Sequence, residues 1–221
     1  MVTPRDLDIL RWIGRHGIVT AGQVQSRFFN GQRAAYRRIH ALVAEGLLRR
    51  DPTHWKEPFV VRLTPAGARL ADVGLVPAAL ILAEVHHSLA LVDLMEGLLH
   101  DYPSATIITE REFRAERLRA LREGQPIRGG RIPDGVLHMA SGETIAIELD
   151  LTSKRTFAIK RVIDAYIAVH RTAPDDDGFS FVWWYVLPGA RDRVAALIRD
   201  ERVDDFITLR EWIDDTTTDR S

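Results

Sequence analysis

The sequence predicts an α+β or α/β chain in two parts, and three observations carry that prediction. The first 77 residues alternate short amphipathic stretches with turn residues and close on two β-rich runs. The remainder alternates β-type runs with helical patterns, as expected for helices layered on a mixed sheet. Charge is divided in the same way: residues 1–77 hold 12 Lys+Arg against 6 Asp+Glu, and residues 78–221 hold 18 against 25. A net of +6 and a net of −7 therefore lie behind the overall −1. A basic first third on an acidic body suits a partner that is a polyanion.

Composition narrows the class further. At 221 residues, 46% of them hydrophobic, the chain has enough interior for a full core. The apolar run from Leu75 to Ala83 is stopped by Glu84, so none approaches membrane-spanning length. Arg5, Asp6 and Asp8 interrupt any signal-like start, and cysteine is missing, which removes disulfides and thiolate metal sites. A cytoplasmic protein with no membrane contact is the expectation.

Pro4 suits a first helical turn, Leu7, Ile9, Leu10 and Ile13 give that helix an apolar side, and Gly14 and Gly17 are expected to end it. Thr20 can cap a second helix over Ala21 to Phe29, with Val24 and Phe28 inward. After the Asn30-Gly31 turn, a third helix runs from about Gln32 to Glu45, with Ala35, Ile39, Leu42 and Val43 inward. Its other face carries Arg33, Tyr36, Arg37 and His40, with Arg38 beside it. Leu47 to Arg50 and Phe59 to Leu63 read as a hairpin, and helix-turn-helix followed by a hairpin is a winged helix. Leu63-Thr64-Pro65-Ala66-Gly67 resembles the strand-to-helix exit of many winged-helix regulators. The boundary is expected near Gly74 to Pro77, giving a DNA-binding domain 1–77, a second domain 78–213 and a polar tail 214–221.

The second part opens with a helix from Ala78 or His86 to Tyr102, then a strand over Ala105 to Thr109. Glu110 to Glu123 interleaves Arg111, Arg114, Arg117, Arg119 and Arg122 with glutamates and reads as a salt-bridged, exposed helix. A helix over Thr156 to His170, a strand over Phe179 to Leu187, a helix from Pro188 to Asp200 and a strand over Phe206 to Leu209 complete the order. Trp183, Trp184 and Tyr185 are expected in the core, and His86 and His87 as structural histidines.

The most informative stretch lies between. Arg131-Ile132-Pro133-Asp134-Gly135-Val136-Leu137 and Thr144-Ile145-Ala146-Ile147-Glu148-Leu149-Asp150 flank a turn at Ser141-Gly142 and read as a hairpin. Glu148 and Asp150, two apart on a strand, share a face, and Asp134 enters at the same open end. Three carboxylates at one mouth are costly without a cation, and Mg²⁺ (or Mn²⁺) held by Asp134, Glu148 and Asp150 is the natural candidate. The alternative is that each acid pairs with a basic side chain such as Lys154, Arg155 or Arg161.

The element order, with Pro133-Asp134 and Glu148-Leu149-Asp150 where they fall, resembles the PD-(D/E)XK nuclease-like superfamily. With His86-His87-Ser88-Leu89-Ala90-Leu91-Val92-Asp93-Leu94, Leu151-Thr152, Lys160 and Tyr166, nearly the whole chain resembles the replication-relaxation family of plasmids and integrative elements. The resemblance implies a winged helix-turn-helix followed by a PD-(D/E)XK-like mixed sheet flanked by helices, and Asp134, Glu148, Asp150 and a lysine as the catalytic set. Active nucleases of the superfamily carry lysine where this chain has Asp150, and Lys154 or Lys160 would have to replace it.

Three functions are therefore in view. The first is a double-stranded DNA-binding protein of a mobile element, acting in replication, relaxation or transfer beside relaxase or replication proteins, with a degenerate nuclease-like domain. The second is a winged-helix transcriptional regulator whose second domain dimerises or senses a ligand. The third is an active Mg²⁺-dependent endonuclease. DNA contacts are assigned to Arg33, Tyr36, Arg37, Arg38 and His40 on the third helix, and to Arg49, Arg50, His54, Lys56 and Arg62 on or beside the wing. A homodimer is the default for reading a palindrome.

Overall fold

The computed structural model describes residues 2–53, 58–125, 130–152, 155–172 and 178–213. Two compact units divide the chain, Met1–Glu96 and Gly97–Ser221. Helices at the amino terminus with a small antiparallel sheet are followed by a five-stranded mixed sheet flanked by helices, which is the expected α+β class.

Unit 1 begins with α1 (Pro4–His16), set by a capping box in which the Thr3 hydroxyl accepts from the Asp6 N–H and the Asp6 carboxylate accepts from the Thr3 N–H. Gly17, at φ 89°, ends α1. Gly14, expected to end it too, lies within the helix and is buried, because a Cβ there would reach Val73 and Leu63 at 3.0 and 3.1 Å. The two-residue strand β1 (Val19–Thr20) leads into α2 (Ala21–Phe28), whose N-cap Thr20 forms a second capping box with Gln23. Then come α3 (Gln32–Ala44), β2 (Leu48–Asp51) and β3 (Val60–Leu63). β3 is central, antiparallel to both β1 and β2. The core gathers Ile9, Leu10, Trp12, Ile13, Val24, Ile39, Leu42, Leu48 and Val61.

The Leu63-Thr64-Pro65-Ala66-Gly67 exit has a physical reason. Thr64 caps α4 (Pro65–Ala71) by accepting from the Gly67 N–H at 3.0 Å, while its own N–H donates to the Leu47 carbonyl at 3.1 Å. A Cβ at Gly67 would stand 2.0 Å from that carbonyl oxygen, so only glycine lets α4 lie on the start of β2.

The unit boundary departs from the expected 77/78 and falls inside α5 (Val85–Asp101). Polar contacts explain why residues 85–96 belong to unit 1. Trp12 Nε1–H donates to Glu96 at 2.9 Å, Arg27 pairs with the same carboxylate, and Gln23 donates to the Leu89 carbonyl and to Asp93, each at 2.9 Å. Val92 joins the unit 1 core. Beside them His16 is buried, and its imidazole is lowered to about 3 by that burial and by Arg15 and Arg27.

Unit 2 sets β4 (Thr106–Thr109), β5 (Gly135–His138), β6 (Thr144–Asp150), β7 (Phe181–Val186) and β8 (Ile207–Glu211) side by side in chain order. The first three are antiparallel, and β6, β7 and β8 are parallel. Between β4 and β5 stands α6 (Glu110–Arg122), capped by Thr109 and Glu112 and with no fully buried residue, as its mixed charges foretell. The crossovers are α7 (Thr156–Thr172) and α8 (Arg191–Asp200). One face of the sheet packs Val136, Ala146, Val182, Trp184 and Val186 with Ile159, Ile163 and Tyr166 of α7. On the other, the Arg210 guanidinium lies 3.6 Å from the centroid of Trp183. Among the described residues, no helix is long and apolar enough to cross a membrane.

Replacing Gly67 with alanine is expected to destabilise unit 1 by about 1–3 kcal/mol or more, the range for forcing atoms into a packed site. A lowered denaturant midpoint with an unchanged slope is the check.

Candidate functional site

Two regions carry the expected functional side chains, one in each unit. In unit 1, α3 exposes Arg33, Arg37 and His40, spaced so that they share one helical face, opposite the buried Ala35, Ile39 and Leu42. Tyr36 is half-buried and meets the Phe59 ring edge-on at 6.3 Å between centroids. The Arg50 guanidinium lies over that ring, 3.3 Å from its centroid. Tyr36, Phe59 and Arg50 thereby join α3 and the hairpin in one continuous surface.

Arg38 is not on that face. Its Nε and Nη2 donate to the two oxygens of Asp6 at 2.5 and 2.7 Å, and Asp6 is buried. Burial pushes the Asp6 carboxyl up, but the donors on Arg38 and Thr3 outweigh it and hold the group below the ordinary 3.8. Arg49 and Arg62 converge in the same way on buried Asp51, Arg62 at 2.8 Å, and that carboxyl is also held low against the effect of burial. Arg62 donates besides to the Ala78 carbonyl. Of the assigned DNA contacts, then, Arg33, Arg37, His40, Arg49 and Arg50 face solvent, Arg49 pairing with Asp51 of its own strand, while Arg38 and Arg62 tie elements together. His54 and Lys56 lie outside the described residues. The sequence reading missed Arg5, which lies over Phe29 and, with Arg37 and Arg38, lines an open cleft of about 640 Å³ between α1 and α3.

In unit 2 the strand register brings Asp134 beside Glu148 at one end of the β5–β6 pair. The ladder aligns Gly135 with Ile147, and the Asp134 N–H donates to the Ile147 carbonyl, so Asp134 enters alongside Glu148. Its Oδ2 accepts from the Leu149 N–H at 2.8 Å. Asp150, also buried, accepts at Oδ1 from the N–H and hydroxyl of Thr152, both at 3.1 Å, folding back on its own chain just past the strand. Glu148 is 2% exposed and is met by a guanidinium: Arg131 Nε donates to Oε1 at 2.5 Å and Nη2 to Oε2 at 2.6 Å. From α7, the Tyr166 hydroxyl donates to Oε1 as well. Burial pushes the Glu148 carboxyl up to about 7, Arg131 draws it down and Asp134 adds to the rise.

This arrangement corrects part of the expected site. Neither of the basic partners foreseen within reach of α7, Arg155 or Arg161, holds Glu148. The partner is Arg131, three residues before Asp134. Lys160 is turned to Glu201 at the end of α8 and is half exposed, so its ammonium serves an ion pair there. Lys154 lies outside the described residues. A hard divalent ion needs carboxylate oxygens left for it, whereas both Glu148 oxygens already accept strong donors. The corner as built does not fit Mg²⁺ or Mn²⁺, and among the described residues no three His, Asp or Glu side chains are grouped to hold a metal ion.

The profile of the replication-relaxation family matches residues 10–181, more than three quarters of the chain. The chain belongs to the replication-relaxation family. The match runs from α1 to the start of β7, so this replication-relaxation protein carries both the α3 face and the acidic corner within the family's extent. Membership points to a role in plasmid or mobile-element replication or relaxation. Among solved structures, the chain titled "PigF with SAH" is similar at 15% identity and a TM-score of 0.23, over 93% of this chain and 55% of that one. The replication-relaxation protein thus spans about half the length of that structure. No curated protein matches it.

The titrating groups of unit 1 set its acid stability. Asp6 and Asp51, held below 3.8, contribute stability that is whole above that value and lost as pH falls beneath it. His16, lowered from 6.5 to about 3, adds an earlier slope, because the unfolded imidazole takes a proton that the folded one refuses. The unfolding midpoint of unit 1 is expected to decline from pH 6.5 downward. His16→Gln should flatten the upper part of that window and Asp6→Asn the part below 3.8.

Proposed function

We propose that this replication-relaxation protein binds double-stranded DNA through a winged-helix amino-terminal unit, with α3 as the recognition helix, during replication or relaxation of a plasmid or mobile element. What carries the reading is the continuous surface formed by Arg33, Arg37 and His40 with the Arg50–Phe59–Tyr36 stack. Guanidinium groups at this helical spacing suit guanine edges and phosphates in a major groove. The stacked Arg50 holds a second positive group at the hairpin, where a backbone phosphate would fix register. The net +6 of residues 1–77 supplies the attraction that brings the duplex to that surface. Arg38 contributes indirectly, by locking α3 to the first turn of α1 through Asp6.

Unit 2 then acts as a folded platform and not as a nuclease, since its acids are engaged within the chain. The test is binding of a labelled mixed-sequence duplex across a salt series. Arg33→Ala with Arg37→Ala is expected to lower the slope of log affinity against log salt by about two units, one for each phosphate-directed cation lost. Arg38→Ala should leave that slope unchanged while lowering the melting temperature. Undetectable binding, or an unchanged slope in the double variant, would refute the assignment of α3.

A further inference from the structure

The acidic end of the β5–β6 hairpin calls for a positive charge, and the fold supplies one from its own chain. Arg131 precedes β5 by four residues, with Pro133 and Asp134 between. Its guanidinium grips Glu148 through two parallel donors at 2.5 and 2.6 Å, the fork geometry that matches a carboxylate. Tyr166 adds a third donor from α7, to Oε1, and Asp134 is brought alongside by the strand register. We infer that Arg131 is the resident cation of this corner, taking the place on Glu148 that a divalent metal would otherwise occupy, and that unit 2 is metal-independent. The inference concerns unit 2 alone and stands or falls separately from DNA binding by α3.

Two observations separate a resident cation from an incidental salt bridge. The acid is almost fully buried, so removing its partner strands a carboxylate rather than exposing it to water. And Arg131 keeps 28% of its side chain exposed while Glu148 keeps 3%, so the guanidinium is the removable member, seated from the solvent side as an ion would be.

Thermal unfolding of the full chain in EDTA and in millimolar MnCl₂ tests this. The wild type is expected to melt at the same temperature in both. Arg131→Met should melt roughly 10 °C lower in EDTA, the consequence of stranding one buried charge, and MnCl₂ should restore part of the loss. Arg131→Met with Glu148→Gln should recover stability in EDTA and lose the response to manganese. The inference is overturned if MnCl₂ stabilises the wild type and Glu148→Gln abolishes that effect. It is equally overturned if Arg131→Met melts like the wild type, or melts lower with no response to manganese. Should Arg131→Met not fold, the wild type and Glu148→Gln in the two buffers decide the matter alone.

Discussion

A carboxylate withdrawn from water must be met by donors, and this molecule is organised around three that are met by arginine. Asp6, Asp51 and Glu148 are all buried, and each is gripped by arginine. Each grip joins elements that local sequence could not hold together. Asp6–Arg38 fixes α3 against the first turn of α1, Asp51 ties β2 to β3 through Arg62, and Glu148 draws the approach to β5 onto β6 and α7. Such pairs add little net stability over an apolar substitute, because desolvation offsets the attraction. What they contribute is placement, since an unmatched charge in those positions makes any other arrangement costly.

The same constraint sorts the arginines of the basic unit into two kinds. Arg33, Arg37, Arg49 and Arg50 remain toward solvent, Arg49 while pairing with Asp51, and Arg38 and Arg62 are turned to satisfy acids on other elements. The positive character of residues 1–77 therefore overstates the charge presented on the α3 face and understates how much of it is structural. The cation–π stack of Arg50 on Phe59 is intermediate: the guanidinium is held in place by an aromatic ring without being neutralised.

Much of this was legible in the chain, for reasons that can be named. Pro4 and the capping Thr20 sit where the first two helices need them, so those helix starts could be read locally. The β5–β6 hairpin announced itself through two β-type apolar runs flanking Ser141-Gly142, and the order of acids placed Glu148 and Asp134 together. What escaped were long-range choices. Gly14 looked like a stop signal, but its missing side chain serves packing against Val73 and Leu63. The boundary looked like Pro77, because composition shifts there, yet Trp12, Gln23 and Arg27 draw residues 85–96 to the first unit. Arg131 stood in plain view beside Asp134, but nothing local says which of several nearby cations a buried glutamate will take.

In the second unit, spatial order follows chain order from β4 to β8. Every strand after the first therefore finds its partner already made and adds to a free edge, and none has to be inserted between two paired neighbours. Loop closure is short only between β5 and β6, whereas the connections through α6, α7 and α8 are each long. A sheet of this kind can grow from its amino-terminal edge as the polypeptide emerges during synthesis, and its parallel half, which needs the α7 and α8 crossovers, is completed last.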